Sequence, residues 1–415
     1  MTIPKLPKLI KIRQTLPRPE VADLATSLKS QLAQLPTRPQ GARVALAVGS
    51  RGISDLVPVV RIVSSYLSEQ GYLPFVVAAM GSHGGGTVAG QLAVLEGYGI
   101  SEATLGIPVQ ASTETVAFPG TAYQGPVLVN DLAWEADGIV LINRVKTHTD
   151  IQAELESGLA KMIAIGLGNR EQAESLHHEG LEALSHAIPL IAEDVLASGK
   201  VWFGVAVVEN AYAGTACVEV LPSESLLEQE KRLLRYSKEL AAALPVAQLD
   251  VLVIDRGGKD FAGSCIDTHV IGRMALIGER DLDTPRIHRV VVCDLSDHSQ
   301  GNAAGIGLVD FITRRFFNKI DFPSTYTNCI SCIFPERGKL PVVMETDGQA
   351  ILTALETCRT ASIQNPRIIR IPDTLHLESM YVSAAVYEEL SHRAGIEILS
   401  DYVDSIDEFG NLIEF

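Results

Sequence analysis

The sequence predicts an α/β protein with mostly parallel sheets. Short apolar runs of strand length alternate with stretches of helical periodicity. The runs end in glycine-rich polar turns, as strands do when they feed a helix. At 415 residues the chain is longer than a usual single domain, so two are expected.

The elements follow in order. RVALAV at 43–48 is an apolar strand closed by the turn Gly49-Ser50-Arg51-Gly52. An amphipathic helix is expected over 56–70. PFVVAA at 74–79 is the next strand, closed by GSHGGGT, and Thr87 is placed to cap the helix that follows. Strands are expected again at 138–142 and 201–208. A charged helix over 223–244 then leads, through a proline, into VLVIDRGG. That places a boundary near 244–250, with an N-terminal cofactor-binding domain at 1–246 and a C-terminal α/β domain at 247–415. The last residues are free to pack back on the first domain. Beyond the boundary, strands are expected at 289–293 and 367–371 and a helix over 306–319.

Composition narrows the function. The chain is 47% hydrophobic and 20% charged, ordinary for a globular protein. Lys and Arg number 34 against 50 Asp and Glu, a net charge of -16. A broad nucleic-acid surface needs a basic stripe, so no nucleic-acid partner is expected. A local cationic cluster can still hold an anionic small molecule. MTIPKLPKLIKIRQ is broken by two prolines, unlike a signal peptide, and no apolar run reaches membrane-spanning length. No membrane association is expected, and the six scattered cysteines suit a reduced, cytoplasmic compartment. Cys329 and Cys332 form a lone CxxC, read as buried thiols or, alternatively, a metal site.

The chemistry-bearing residues gather at strand ends, where parallel sheets place ligands. Ser50 and Arg51 close the first strand, and His83 sits among the glycines of the second turn. That turn reads as an anion cradle or as a plain tight connection. Arg144, Lys146 and His148 follow the strand at 138–142. The cations beside His148 favour a neutral imidazole that can act as a base. Lys161 lies among small apolar residues, GLAKMIAIG, where a desolvated amine can be a nucleophile or an attachment point. His177 and His178 are adjacent on a helix and diverge by roughly 100°, so one of them faces a given site. In the second domain FAGSCIDTHVIGR carries Asp267, His269 and Arg273, and SQGNAAGIG follows at 299–307; both read as loops able to close over a ligand.

Taken in order, SRG at 50–52, MGSHGGGT, KTHTD, GLAKMIAIG and the helix histidine resemble the lactate racemase family, the nickel-pincer-dependent 2-hydroxyacid racemases and epimerases. The resemblance spans nearly the whole chain and is remote in places. The family's first turn carries an acidic residue and Thr-Arg-Pro, where this chain has Gly49, Ser50 and Gly52. Its second turn has His-Arg, where Gly84 follows His83 here. The second-domain run also differs from that of the lactate enzymes.

The resemblance implies an isomerase with its site in the cleft between two domains. It implies a nickel-pincer nucleotide, pyridinium-3,5-bisthiocarboxylic acid mononucleotide nickel, joined through Lys161. His177, or His178 in its place, would ligate the nickel, and Ser50, Arg51 and Arg144 would contact cofactor phosphate or substrate carboxylate. His83 and His148 would move the hydroxyl proton while hydride transfer passes a 2-hydroxy acid through a 2-oxo acid. Cofactor-synthesis enzymes would be the maturation partners. Asp267, His269 and Arg273 would form the substrate contacts, and their polarity suggests a hydroxylated or dicarboxylic 2-hydroxy acid rather than lactate. Two other readings of the same residues are a histidine-ligated zinc hydrolase and a non-enzymatic cofactor or metabolite binder.

Overall fold

A computed structural model describes residues 6–50, 52–178, 180–358 and 365–415. They fall into two compact α/β units, one at 17–241 and one at 242–415 that also takes the N-terminal stretch to Leu16. Among the described residues no helix is long and apolar enough to cross a membrane.

The first unit is built on a six-stranded sheet. Its order is Val109–Gln110, Leu73–Ala78, Arg43–Val48, Gly138–Arg144, Val201–Glu209 and Thr215–Pro222. All neighbours are parallel except the last pair. Val44, Leu46 and Val48 face one apolar layer while Ala45 and Ala47 face another. Burial on both faces is why these strands are apolar throughout rather than alternating. The helices Leu24–Leu32 and Leu56–Glu69 cover one face; Leu181–Ala197 and Leu226–Leu240 cover the other. The sequence anticipated the central strands and the 56–70 helix. It missed Thr215–Pro222 and the hairpin of Thr115–Pro119 with Pro126–Asn130.

The second unit carries an eight-stranded mixed sheet. Five parallel strands run Val342–Met344, Phe311–Thr313, Arg286–Leu295, Gln248–Gly257 and Ile368–Ile371. Three antiparallel strands extend it: Ser379–Val382, Leu9–Gln14 and Ile396–Val403. Residues 9–14, which the sequence reading kept with the first domain, therefore belong to this sheet. They pair on both edges with strands nearly four hundred residues away in the chain, Ile12 opposite Met380 and Ile398.

The helix expected over 306–319 is corrected. The segment holds a 3-10 turn at Ile306–Leu308, the strand Phe311–Thr313 and a short helix at Arg314–Asn318. Phe311 and Ile312 pair beside Val291 and Val292 in the core, and the Thr313 side chain caps the helix by accepting the Phe316 amide at 3.2 Å. Sheet pairing there overrides local helical propensity.

Candidate functional site

In the first unit the strand order reverses between Arg43–Val48 and Gly138–Arg144: strands 43–48, 73–78 and 109–110 step one way, and 138–144 returns on the other side. Ligands of open α/β sheets bind outside the carboxyl ends of the strands at such a point. Here the turns after three strands meet the segment that carries Lys161.

The first two turns are tied together directly. The Ser50 hydroxyl hydrogen-bonds His83 Nδ1, and the Tyr98 hydroxyl donates to the Ser50 carbonyl at 3.2 Å. Arg51 lies outside the described residues. In the second turn Gly84 has φ +66, and a Cβ there would come within 2.6 Å of the Gln91 amide. The Arg that the resemblance expects after the histidine therefore has no room. Thr87 caps the helix Val88–Gly97 by accepting the Gly90 amide at 3.1 Å, as anticipated.

The third turn is clamped by carboxylates, one of them buried. Arg144 pairs with Glu209, and Glu209 also accepts the Ser54 amide at 2.8 Å. The Arg144 guanidinium thus links the third turn, through Glu209, to the first. Lys146 and Ser157 pair across the base of the loop, at 2.9 and 3.2 Å. Buried Glu156 accepts the His148 amide at 2.8 Å and is neutralised by Lys238 at 2.6 Å. His148 Nδ1 accepts the amides of Asp150 and Ile151, at 3.0 and 3.1 Å.

Lys161 ends a short helical turn, Leu159–Lys161. Asn143 donates to the Gly158 carbonyl at 2.7 Å, and the Ala160 amide donates to Glu230 at 2.9 Å. Glu230 reaches in from the helix Leu226–Leu240 and is only 1% exposed. A Cβ on Gly158 would lie 1.8 Å from its carboxyl, so only glycine leaves Glu230 its place. Beyond Lys161 the backbone widens to a π turn, Met162–Gly166, a geometry that recurs at functional sites. The Gly166 carbonyl accepts the Gly81 amide at 3.1 Å, which ties the Lys161 segment to the His83 turn.

His177 is half-buried and His178 exposed at the end of the helix Asn169–His178. Burial, and then the charge of Lys161, hold the His177 imidazole below its ordinary range, with Asp150 opposing. His177 is therefore the member of the pair within electrostatic reach of Lys161 and of the His148 loop, and it is a neutral imidazole near pH 7. Neutral imidazole is the ligating form.

Burial also pushes the Glu230 carboxyl up to about 7, against the lowering effect of the Ala160 and Leu159 amides. The folded protein therefore holds this proton more tightly than the unfolded chain. The resulting stability is complete below the ordinary value of 4.5 and is lost as pH rises to about 7. Glu230→Gln is expected to remove a pH-dependent loss on the order of 3 kcal/mol. Urea melts at pH 4.5 and 7.5 check this: an unchanged difference between the two pH values in the variant would refute it.

In the second unit the residues expected at the substrate are occupied otherwise. Asp267 caps the helix Thr268–Ile271 by accepting the amides of His269 and Val270, at 2.8 and 3.4 Å. Arg273, 17% exposed in its side chain, donates to Asp310 at 2.8 Å and to the carbonyls of Leu308, Ile287 and His288. Its planar fork is filled by its own unit, so a substrate-clamp role for Arg273 is corrected to a structural one. Arg273→Ala should cost about 2–3 kcal/mol of stability. A urea midpoint equal to that of the wild type would contradict this. His269 is half-buried on the same short helix. The sequence reading overlooked His376, whose Nδ1 lies 2.9 Å from buried Asp373 just after Ile368–Ile371. Cys329 is buried and Cys332 exposed.

Among the described residues no group of three or more His, Cys, Asp or Glu is placed to hold a metal ion. The carboxylates that organise the site, Glu156, Glu209 and Glu230, were missed from sequence. Glu230 alone left a signal, since it falls on the apolar face of its helix in register with Leu226, Leu233 and Leu234.

The chain thus presents an α/β unit in which the Ser50 and His83 turns are bonded to each other, the His83 turn is tied to the Lys161 segment, and His177 feels the charge of Lys161. No protein-family model matches the chain, and no curated protein matches it. Among solved structures it is similar to the lactate racemase apoprotein from Thermoanaerobacterium thermosaccharolyticum, with a TM-score of 0.48 and 13% identity over 88% of each chain.

Proposed function

We propose that this chain is a racemase or epimerase of a 2-hydroxy acid that uses a nickel-pincer nucleotide attached through Lys161. The observation that carries the reading is the placement of Lys161 within electrostatic reach of a neutral, half-buried His177, beside the His148 loop and tied to the His83 turn.

The residues fit the group. An amine set on a rigid turn by Glu230 and Gly158 suits covalent attachment. A neutral imidazole on the next helix suits a borderline divalent ion such as nickel. Ser50 stands at the first turn, where a phosphate of the nucleotide would be met. When bound, such a group supplies a hydride acceptor, which spares the enzyme the removal of a weakly acidic Cα–H as a proton.

The chain's own part is positioning and proton handling. His83 and His148 stand at two different strand-end turns and attend to the substrate hydroxyl. Glu156 holds the His148 turn still, and Glu209 ties Arg144 to the first turn, which keeps the reacting geometry preorganised. Cofactor-synthesis enzymes would be needed to load the protein, and the medium would be the cytoplasm. With Arg273 and Asp267 engaged elsewhere, the choice among 2-hydroxy acids is left to other side chains.

The test is to produce the chain together with nickel-pincer synthesis enzymes. Intact mass and nickel analysis report loading, and chiral chromatography of enantiopure 2-hydroxy acids reports turnover. A loaded protein that inverts none of a broad panel would overturn the reaction. A protein that gains neither mass nor nickel would overturn the cofactor.

A further inference from the structure

The second unit has a switch point of its own. Arg286–Leu295, Phe311–Thr313 and Val342–Met344 step away on one side of Gln248–Gly257, and Ile368–Ile371 lies parallel on its other side. The crevice outside the carboxyl ends of Gln248–Gly257 and Ile368–Ile371 is where an open α/β sheet takes a ligand. Both turns that border it are firmly held. In the first, the Gly258 amide donates to the Cys265 carbonyl and the Lys259 amide to the Ser299 hydroxyl, both at 2.8 Å, and Ser296 donates to Asp260 at 2.8 Å. In the second, the Pro372 carbonyl accepts the Arg256 amide at 3.0 Å and the Thr374 hydroxyl accepts the Asp267 amide at 3.1 Å.

The two turns meet through Phe261 and His376, whose rings stand nearly perpendicular with centroids 6.2 Å apart. His376 is fixed from behind. Its Nδ1 lies 2.9 Å from both carboxylate oxygens of Asp373, and Asp373 Oδ1 also accepts the amides of Leu375 and His376 at 2.8 Å. An ionised carboxylate accepts and never donates, so Nδ1 carries the ring proton and Nε2 of the neutral ring keeps its lone pair. The Asp373 side chain is 3% exposed and that of His376 is 64% exposed. The ring therefore turns Nδ1 inward to the carboxylate and leaves Nε2 on its open side.

We infer that the second unit has a small-molecule site of its own at this crevice, in which His376 Nε2 accepts a hydrogen bond from a ligand hydroxyl and Phe261 packs against the ligand's carbon skeleton. The ligand class is small hydroxylated acids. Asp373 is a positioning residue: it selects the tautomer that accepts, as the buried carboxylate behind a proton-accepting imidazole does. The held turns mean that little ordering is left to be done on binding. The site needs no cofactor, so its test is separate from the loading experiment.

Two measurements on the apoprotein test it. Nitrogen-15 spectra of histidine-labelled protein, with the His376 signals assigned by their loss in His376→Gln, should show Nδ1 protonated and Nε2 unprotonated in the neutral ring at alkaline pH. The opposite tautomer overturns the inference. Glycerate and malate are then titrated against their deoxy counterparts, propionate and succinate. At least one hydroxylated acid should shift the His376 signals saturably, and its deoxy counterpart should bind at least ~10-fold more weakly. Asp373→Asn keeps the oxygen that holds the Leu375 and His376 amides but sets an N–H against Nδ1, so it should move the ring proton to Nε2 and weaken that acid by at least ~10-fold. Phe261→Ala should weaken it roughly 10-fold with the tautomer unchanged. No shift with any of the acids, or equal shifts with the hydroxylated and deoxy members, overturns the site. An Asp373→Asn protein that binds as the wild type does overturns the role given to the tautomer.

Discussion

Lys161→Ala is expected to abolish the mass adduct and every trace of turnover in protein produced with the cofactor-synthesis enzymes. The lysine is fixed on three sides. Its turn starts at Gly158, whose carbonyl is held by Asn143; its first amides face Glu230; and a π turn follows it at Met162–Gly166. A backbone held this firmly starts the lysine side chain from one position along the carboxyl edge, which suits a single covalent attachment. Lys161→Arg is the companion variant, because it keeps the charge that lowers His177 while removing the acylable amine. Both variants should retain a wild-type urea midpoint within about 1 kcal/mol, since the side chain is not part of the core. Intact mass is decisive: an adduct that persists in either variant moves the attachment elsewhere, and an adduct absent from the wild type removes it altogether.

The sequence disclosed this edge because its signals are local. His83 sits among glycines after one strand, His148 follows Arg144 and Lys146 after another, and Lys161 lies among small apolar residues, so all three stood out before any coordinates. What distinguishes His177 from His178 is three-dimensional, the burial of one and the effect of the Lys161 charge on it. The second unit was harder to read. Leu9–Gln14 looks like any short apolar run, and nothing local tells it to join strands at the far end of the chain. Arg273 had the look of a ligand-binding residue because a polar glycine-flanked turn suggests a lid. Its real partners are carbonyls of Ile287, His288 and Leu308, and backbone groups leave no mark in a sequence. Glu156 and Glu209 were invisible for a related reason. A carboxylate that holds a loop by its amides looks like any surface acid until the loop is folded over it.

The other large effect belongs to His83. His83→Ala in the loaded enzyme is expected to lower kcat by at least ~10²-fold, the lower range for a general acid–base group, while nickel content and adduct mass stay at wild-type levels. Loading should survive because the backbone link from Gly81 to Gly166, which ties the His83 turn to the Lys161 segment, is left in place by a side-chain truncation. The turn itself should survive too. Its conformation comes from three successive glycines with positive φ and from the Thr87 cap, neither of which uses the imidazole. Ser50→Ala provides the graded comparison. It removes the hydroxyl that orients the ring and leaves the ring in place, so a smaller loss of roughly 10-fold is expected, concentrated in kcat rather than KM. If His83 were merely structural, its alanine variant would melt earlier and lose cofactor in step with activity. Full activity in His83→Ala, or a loss wholly accounted for by lost nickel, would remove this residue from the chemistry.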